Sequence, residues 1–514
     1  MYSNNLTIQH WLPRHAKYKP HKTAFICGST RLSFSELNAS VNQLIHAWQK
    51  AGIKKGDKIA TILPNCTALW EVYWACAKMG AVAVPLSPLL RGQGLANLLN
   101  NADTSLVISD KATAGYISSV KPLVPHLPDN RYWLINSNNT DGYTSYCDVK
   151  QMESTVEPDV EIVTGSDPYN IIYSSGTTGL PKGIVISHAV RALYGSLFAN
   201  AYRMTPESIV MHSGSIIFNG SFLTLMPAMF LGCTYILQDH FDPGQVILDI
   251  GKEAVTHTIL VPSQIIACLQ QETFNKVSLP SIEYILSVGA PLLLEHKQKL
   301  NSRLPGVFYE LYGLTEGFMT ILDKTDALSK TGSVGYPPAF MDMKILNEEG
   351  VLQPAGVIGE IVGKGPLLMD SYYKNEEQTR DALREGWLYT GDLGYVDEDG
   401  FLFLTGRKKD LIISGGVNVY PADIEEVIIR HDAVKDVAVF GVSHEEWGET
   451  PVAAVVLTTG SDELNAEMLR GWVNDHIDAR FQKVQEIIIM EELPRNVAGK
   501  ILKRELKEIY ESRK

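Results

Sequence analysis

The chain has 514 residues, 45% of them hydrophobic and 20% charged, so it can bury large cores and by length suggests roughly three domain-sized units. Its formal charge of −13 excludes a general nucleic-acid binder, because neutralising phosphates takes a basic surface, but it leaves open a nucleotide site built from local donors. Cys27, Cys66, Cys76, Cys147, Cys233 and Cys268 show neither C-x-x-C spacing nor a neighbouring His cluster and read as buried free thiols of a reducing compartment. The first twenty residues lack the apolar core of a signal peptide, so a cytoplasmic location is predicted.

In chain order, Leu37, Val41, Leu44, Ile45 and Trp48 recur at helical spacing and predict a helix over 35–52. A strand is predicted over 58–63, a helix over 69–79 ending at Gly80, and a strand over 81–84. Helices alternating with apolar strands predict a layered α/β architecture. Residues 137–168 are polar and turn-rich and read as a surface loop. Residues 208–238 carry no formal charge, and 216–237 is long enough to suggest a membrane span. Asn219, Gly220, Ser221, Thr224, Pro227, Gly232 and Thr234 interrupt it, so a buried helix followed by a strand is preferred, with peripheral membrane contact left open.

The densest chemical signal is YSSGTTGLPKG at 173–183. Gly176, Gly179 and Gly183 let the backbone approach closely and adopt φ > 0, so that successive N–H groups can face one anion. Ser174, Ser175, Thr177 and Thr178 add neutral donors and Lys182 a mobile positive charge. Apolar runs on both sides predict two strands joined by this loop. That separates it from the Walker loop, which opens a helix and places lysine directly after glycine; here Leu180 and Pro181 intervene. Alone, a shorter stretch of this kind would read as a polar turn.

Further motifs follow: YGLTE at 312–316, GSVG at 332–335, WLYTGD at 387–392, GRKKD at 406–410, and Pro494 with Gly499 and Lys500. Weaker elements are LSFSEL at 32–37, Gly56 with Asp57, and GAVAVP at 80–85. In this order and over about the whole chain, the set resembles the adenylate-forming superfamily of acyl-CoA synthetases, peptide-synthetase adenylation domains and beetle luciferases. The resemblance implies an α/β fold, with a large layered N-terminal domain of sheets and helices over 1–408 and a small mobile α+β lid over 409–514, hinged at Lys409. In the second part, strands are predicted at 411–413 and 437–440 and helices at 423–430 and 466–476.

The resemblance also assigns roles. Lys500 would reach between the acid's carboxylate and the α-phosphate, Thr315 would meet the α-phosphate, and Glu316 would hold Mg²⁺ with Ser174, which stands where the family normally has threonine. Tyr312 would stack on adenine beside Gly313, opposite Gly289, Ala290 and Pro291. Asp392, helped by Arg407, would bind the ribose. Ser414, Gly415 and Gly416 would line a passage for the pantetheine thiol of CoA. In isolation, Lys500 and Glu316 would read as surface charges, Tyr312 as a core aromatic, and the TGD and SGG segments as turns.

Peptide-synthetase domains hold the substrate amine with an aspartate after a phenylalanine. Here Phe218 is followed by Asn219, which carries no charge to pair an ammonium, so amino acids are disfavoured. The candidate acyl pocket, Ile216, Ile217, Phe218, Phe222, Val288, Leu311, Phe318 and Met319, is apolar with no evident arginine or lysine. The expected reaction is ATP-dependent CoA thioester formation from a hydrophobic monocarboxylic acid, fatty or aryl, through an acyl adenylate. Gln482 and Val484 depart from the lysine and proline common in relatives' lids. Loading of a separate carrier protein, a silent acyl-binding role and a homodimeric assembly remain open in the sequence.

Overall fold

A computed structural model describes residues 6–136, 142–174, 181–458, 460, 464–477, 479–495 and 501–513. The chain forms two compact units, Met1–Asp342 with Gly363–Leu388, and Met343–Val362 with Tyr389–Lys514. Lys409 lies in the second of these.

The first unit carries two eight-stranded sheets. In one, strands Thr23–Cys27, Ile209–His212, Thr234–Leu237, His257–Leu260, Tyr284–Val288 and Phe308–Gly313 run parallel, and Thr30–Ser33 and Met319–Leu322 add antiparallel edges. In the other, Lys58–Ile62, Val82–Pro85, Thr104–Asp110, Tyr132–Ile135 and Thr144–Ser145 pair in parallel, as does Pro168–Ser174 with Val82–Pro85. Parallel strands need helical crossovers, and the sequence supplies them. The helix predicted over 35–52 is Phe34–Lys50, and its start is set by a capping box in which Ser33 and Glu36 exchange backbone hydrogen bonds. Thr67–Met79 ends at Gly80, whose φ of +76° is the left-handed cap conformation.

Helix Phe222–Leu231 followed by strand Thr234–Leu237 accounts for the uncharged stretch; both are buried almost throughout. Among the described residues no helix is long and apolar enough to cross a membrane. Two expectations are corrected. The 137–168 segment is not simply a loop: beyond 137–141, which lie outside the described residues, it contains the strand Thr144–Ser145 and the helix Tyr146–Gln151, anchored where the Tyr146 phenol donates to the buried Glu71 carboxylate at 2.6 Å. The cysteines are free, but only Cys76, Cys233 and Cys268 are buried; Cys27, Cys66 and Cys147 are half-buried.

The second unit is α+β in its C-terminal part. Strands Val434–His444 and Gly448–Leu457 form a long antiparallel pair, Glu486–Met490 adds in parallel, and helices Pro421–Ile428, Ala466–Asp475 and Lys503–Glu511 pack on them.

Candidate active site

The YSSGTTGLPKG motif is framed as its apolar flanks predicted. Pro168–Ser174 and Lys182–Ser187 are antiparallel, and their register puts Ser174 directly opposite Lys182. Ser175, Gly176, Thr177, Thr178 and Gly179 lie outside the described residues. A third strand, Ser371–Tyr372, pairs with the Lys182–Ser187 strand, with Tyr372 opposite Ile184. This pairing brings the Lys182 ammonium to 4.7 Å from the centre of the Tyr372 ring, a cation–π contact.

The same tyrosine reaches the YGLTE motif. Its hydroxyl donates to Glu316 Oε1 at 2.7 Å, and the Met369 N–H donates to the Glu316 carbonyl at 2.8 Å. Burial and the adjoining carboxylate push the Tyr372 phenol well above its ordinary pKa, so it remains a donor. Gly317 makes the approach feasible: its φ is +104°, and a Cβ there would lie 2.0 Å from the Leu367 carbonyl oxygen. Sequence reading missed Tyr372, which belongs to no motif; its contribution depends on a strand pairing across nearly two hundred residues.

Val288 lies opposite Leu311 in neighbouring parallel strands, so Gly289, Ala290 and Pro291 leave the sheet beside Tyr312, Gly313 and Thr315. These are the carboxyl ends of parallel strands, where open α/β sheets bind ligands. The 289–291 segment is exposed and Tyr312, Thr315 and Glu316 are half-buried. Of the expected acyl pocket, Ile216, Ile217, Phe222, Leu311, Phe318 and Met319 are buried core, and Phe318 packs against Gly363 where a Cβ would not fit. Phe218, Asn219, Gly220 and Val288 are half-buried, with a Cβ built on Gly220 falling 3.9 Å from Val288.

A buried cation stands behind this segment. Arg191, fully buried on helix His188–Ala201, donates from Nη2 to Asn219 Oδ1 at 2.8 Å. It lies in sequence well outside the 216–222 segment, which is why scanning that segment could not find it.

The second unit holds the other candidates. Asp392 and Arg407 are directly opposite in the antiparallel pair Trp387–Val396 and Leu402–Arg407, and Arg407 Nε lies 3.1 Å from Asp392 Oδ1. Thr390 Oγ accepts the Asp392 N–H at 3.0 Å and donates to the Ile361 carbonyl at 2.7 Å, so the TGD turn is held from both sides. Glu360 accepts from the Gly391 N–H and the Lys408 ammonium. Gly415 and Gly416 form a two-residue hairpin loop between Ile412–Ser414 and Val417–Val419, with φ of +60° and +80°. Positive φ at both positions suits a tight hairpin, and a Cβ on Gly415 would strike the Trp447 ring at 2.6 Å. Lys409 follows Arg407 in a single 3-10 turn, Lys408–Asp410. Lys500 lies outside the described residues.

Two family descriptions match this chain: AMP-binding enzyme over residues 12–373, and AMP-binding enzyme C-terminal domain over 423–500. The chain is an AMP-binding enzyme. This AMP-binding enzyme is 32% identical over 505 residues to the long-chain-fatty-acid–CoA ligase FadD13 of Mycobacterium tuberculosis, covering 97% of this chain and 98% of the relative. It is 31% identical over 512 residues to the feruloyl-CoA synthase of an Amycolatopsis species, covering 98% and 99%. It also matches the crystal structure of ATP-bound MatB from Rhodopseudomonas palustris with a TM-score of 0.89 and 28% identity, over 98% of this chain and 99% of that one. By family it is an AMP-forming acid–CoA ligase.

Proposed function

We propose that this ligase activates a carboxylic acid with an apolar body as its acyl adenylate and transfers the acyl group to CoA. The observation that carries the reading is the convergence of Lys182, Tyr372 and Glu316 at the base of the phosphate-loop strands. A cation and an oriented carboxylate beside a hydroxyl- and glycine-rich loop suit a polyphosphate and its counter-ion.

In the first step a carboxylate oxygen attacks the α-phosphorus, the α–β anhydride bond breaks, and pyrophosphate leaves. Lys182 and the loop hydroxyls meet phosphate oxygens, Thr315 the α-phosphate, and Lys500 neutralises the approach of one anion to another. Ser174 and Glu316 offer the oxygen donors that Mg²⁺ prefers, and would hold it on the phosphates; when bound it supplies charge neutralisation there. Tyr312 and residues 289–291 take adenine, and Asp392, kept in place by Arg407 and Thr390, accepts from the ribose hydroxyls. In the second step the CoA thiol, losing its proton, attacks the acyl carbon, the acyl–oxygen bond breaks, and AMP leaves. Turning about Lys409 would withdraw Lys500 and bring the Ser414–Gly416 side to the thiol path. A cytoplasmic setting belongs to the same proposal.

The named relatives act on acids as different as long-chain fatty acids and feruloyl groups, so they do not select this chain's acid. The test is pyrophosphate and AMP release with Mg-ATP across fatty, aryl, dicarboxylic and amino acids, with and without CoA. CoA-dependent AMP release with an apolar-bodied acid is expected. Pyrophosphate without thioester would point to a carrier-protein acceptor, and acid binding without pyrophosphate would overturn the ligase reading.

A further inference from the structure

Among the described residues Arg191 is a buried cation without an anionic partner. Its side chain is fully buried; Nε donates to Asn170 Oδ1 at 3.2 Å and Nη2 to Asn219 Oδ1 at 2.8 Å, both neutral amides. The guanidinium carbon lies 4.1 Å from the centre of the Phe222 ring and 5.0 Å from that of Tyr194. Among the described residues Nη1 has no hydrogen-bond partner, and neither does Asn170 Nδ2. The groups acting on its charge are the phenols of Tyr194, Tyr169 and Tyr73, each kept neutral by burial. Burial lowers the arginine only to about 10, so it stays charged at neutral pH.

A buried charge of this kind is costly unless something compensates it. Asn219 shows where compensation would come from. It stands between the guanidinium and the half-buried Phe218, Gly220 and Val288. Its carbonyl oxygen accepts from Arg191, and its Nδ2, beside the Tyr194 phenol, keeps an N–H donor to offer. An acidic residue at this position would have cancelled the arginine's charge; an asparagine is polarised by it. This segment therefore favours an acceptor, and most of all an anion, while it repels an ammonium.

We propose that Asn219, positioned and polarised from behind by Arg191, receives a second carboxylate of the acid, so that the preferred substrate is a dicarboxylic acid with an apolar spacer. This rests on the ligase reading in taking the bound acid as the substrate. Asn219 makes the contact; Arg191 is a positioning residue that fixes the amide's orientation and supplies the field.

The test uses the full chain and matched pairs of straight-chain and aryl acids that differ only in a second carboxylate. Binding is read by calorimetry, and KM and kcat by AMP release. Wild type is expected to bind the diacid of the best-fitting pair on the order of a hundredfold more tightly than its monoacid, the size expected of a charge-assisted hydrogen bond in a site built for it. Arg191→Met should collapse that ratio through KM rather than kcat, and Arg191→Lys should restore part of it. Asn219→Asp, which pairs the guanidinium internally, should also collapse it, and serves if the Arg191 variants do not fold. A purely structural arginine would lower binding of both acids equally. Equal wild-type binding of monoacid and diacid in every pair, or a ratio unmoved by Arg191→Met and Asn219→Asp, overturns the proposal even if AMP is released. Selective diacid binding without AMP release would uphold it and count against the ligase reading instead.

Discussion

Tyr372 and Glu316, fifty-six positions apart, are joined by a 2.7 Å hydrogen bond while the same tyrosine ring lies under the Lys182 ammonium. One side chain thus orients the carboxylate and positions the cation. Tyr372→Phe keeps the ring and removes the donor. A hydrogen bond to a charged group contributes about 1.5–3 kcal/mol. The expected result is a fall in kcat/KM for Mg-ATP of about tenfold or more, with a steeper requirement for free Mg²⁺ and little change in Tm. Pyrophosphate release at varied Mg²⁺ and fixed ATP measures it; an unchanged profile would mean that Glu316 needs no orienting partner.

Gly317→Ala tests the backbone that carries Glu316. Its φ of +104° and the 2.0 Å approach to the Leu367 carbonyl leave no place for a methyl group. Strain of this kind costs of order 1–3 kcal/mol before the collision is counted. Thermal unfolding should show a Tm lowered by several degrees together with weakened adenylation. A variant as stable and active as wild type would show that this segment relaxes freely.

The two-step scheme separates Lys500 from Lys409. Lys500→Ala should suppress adenylate formation by several orders of magnitude while largely sparing conversion of supplied acyl adenylate to thioester. Lys409→Pro, which restricts φ, should do the reverse. Rapid-quench assays of the two half-reactions decide it: equal losses in both halves for Lys500→Ala would remove the lid's division of labour.

His188 and His212 give the fold an acid limit. Both are buried, and desolvation lowers each to about 4 from an ordinary value of 6.5. Both His188 ring nitrogens lack partners among the described residues. Below pH 6.5 the unfolded chain binds protons that the native imidazoles refuse, so stability is complete above that pH and declines towards pH 4. The loss approaches about 3 kcal/mol for each histidine at the lower end. Urea unfolding at pH 7.5 and pH 5 should show His188→Leu less sensitive to acid than wild type. Parallel pH profiles would remove His188 from this account.

Legibility followed sequence distance. The hairpin around the phosphate loop, the helix Phe34–Lys50 with its Ser33–Glu36 cap, and the pairing of Asp392 with Arg407 were all foreshadowed by local patterns or motifs. The helix Tyr146–Gln151 was not, because its stability comes from a distant partner: the Tyr146 phenol and Lys150 both bond to the buried Glu71. Gly415 and Gly416 have a local explanation in a tight hairpin beside Trp447, so any part in a thiol path is added to a structural requirement.

By itself the sequence determined the chemistry's vocabulary: the glycine- and hydroxyl-rich loop, the motif order, and an α/β alternation that specifies a layered architecture. Those features are local because hydrogen-bonding capacity, backbone freedom and side-chain periodicity are properties of short segments. Only the tertiary structure decided which side chains act on one another across the sheets. It put Tyr372 between Lys182 and Glu316 through an edge strand, and it drew Arg191 from a helix behind Asn219, so that a segment that reads as apolar is backed by a buried positive charge. The physical reason is that burial and charge pairing are set by neighbours in space, and the energy of a guanidinium depends on what surrounds it rather than on what precedes it in the chain.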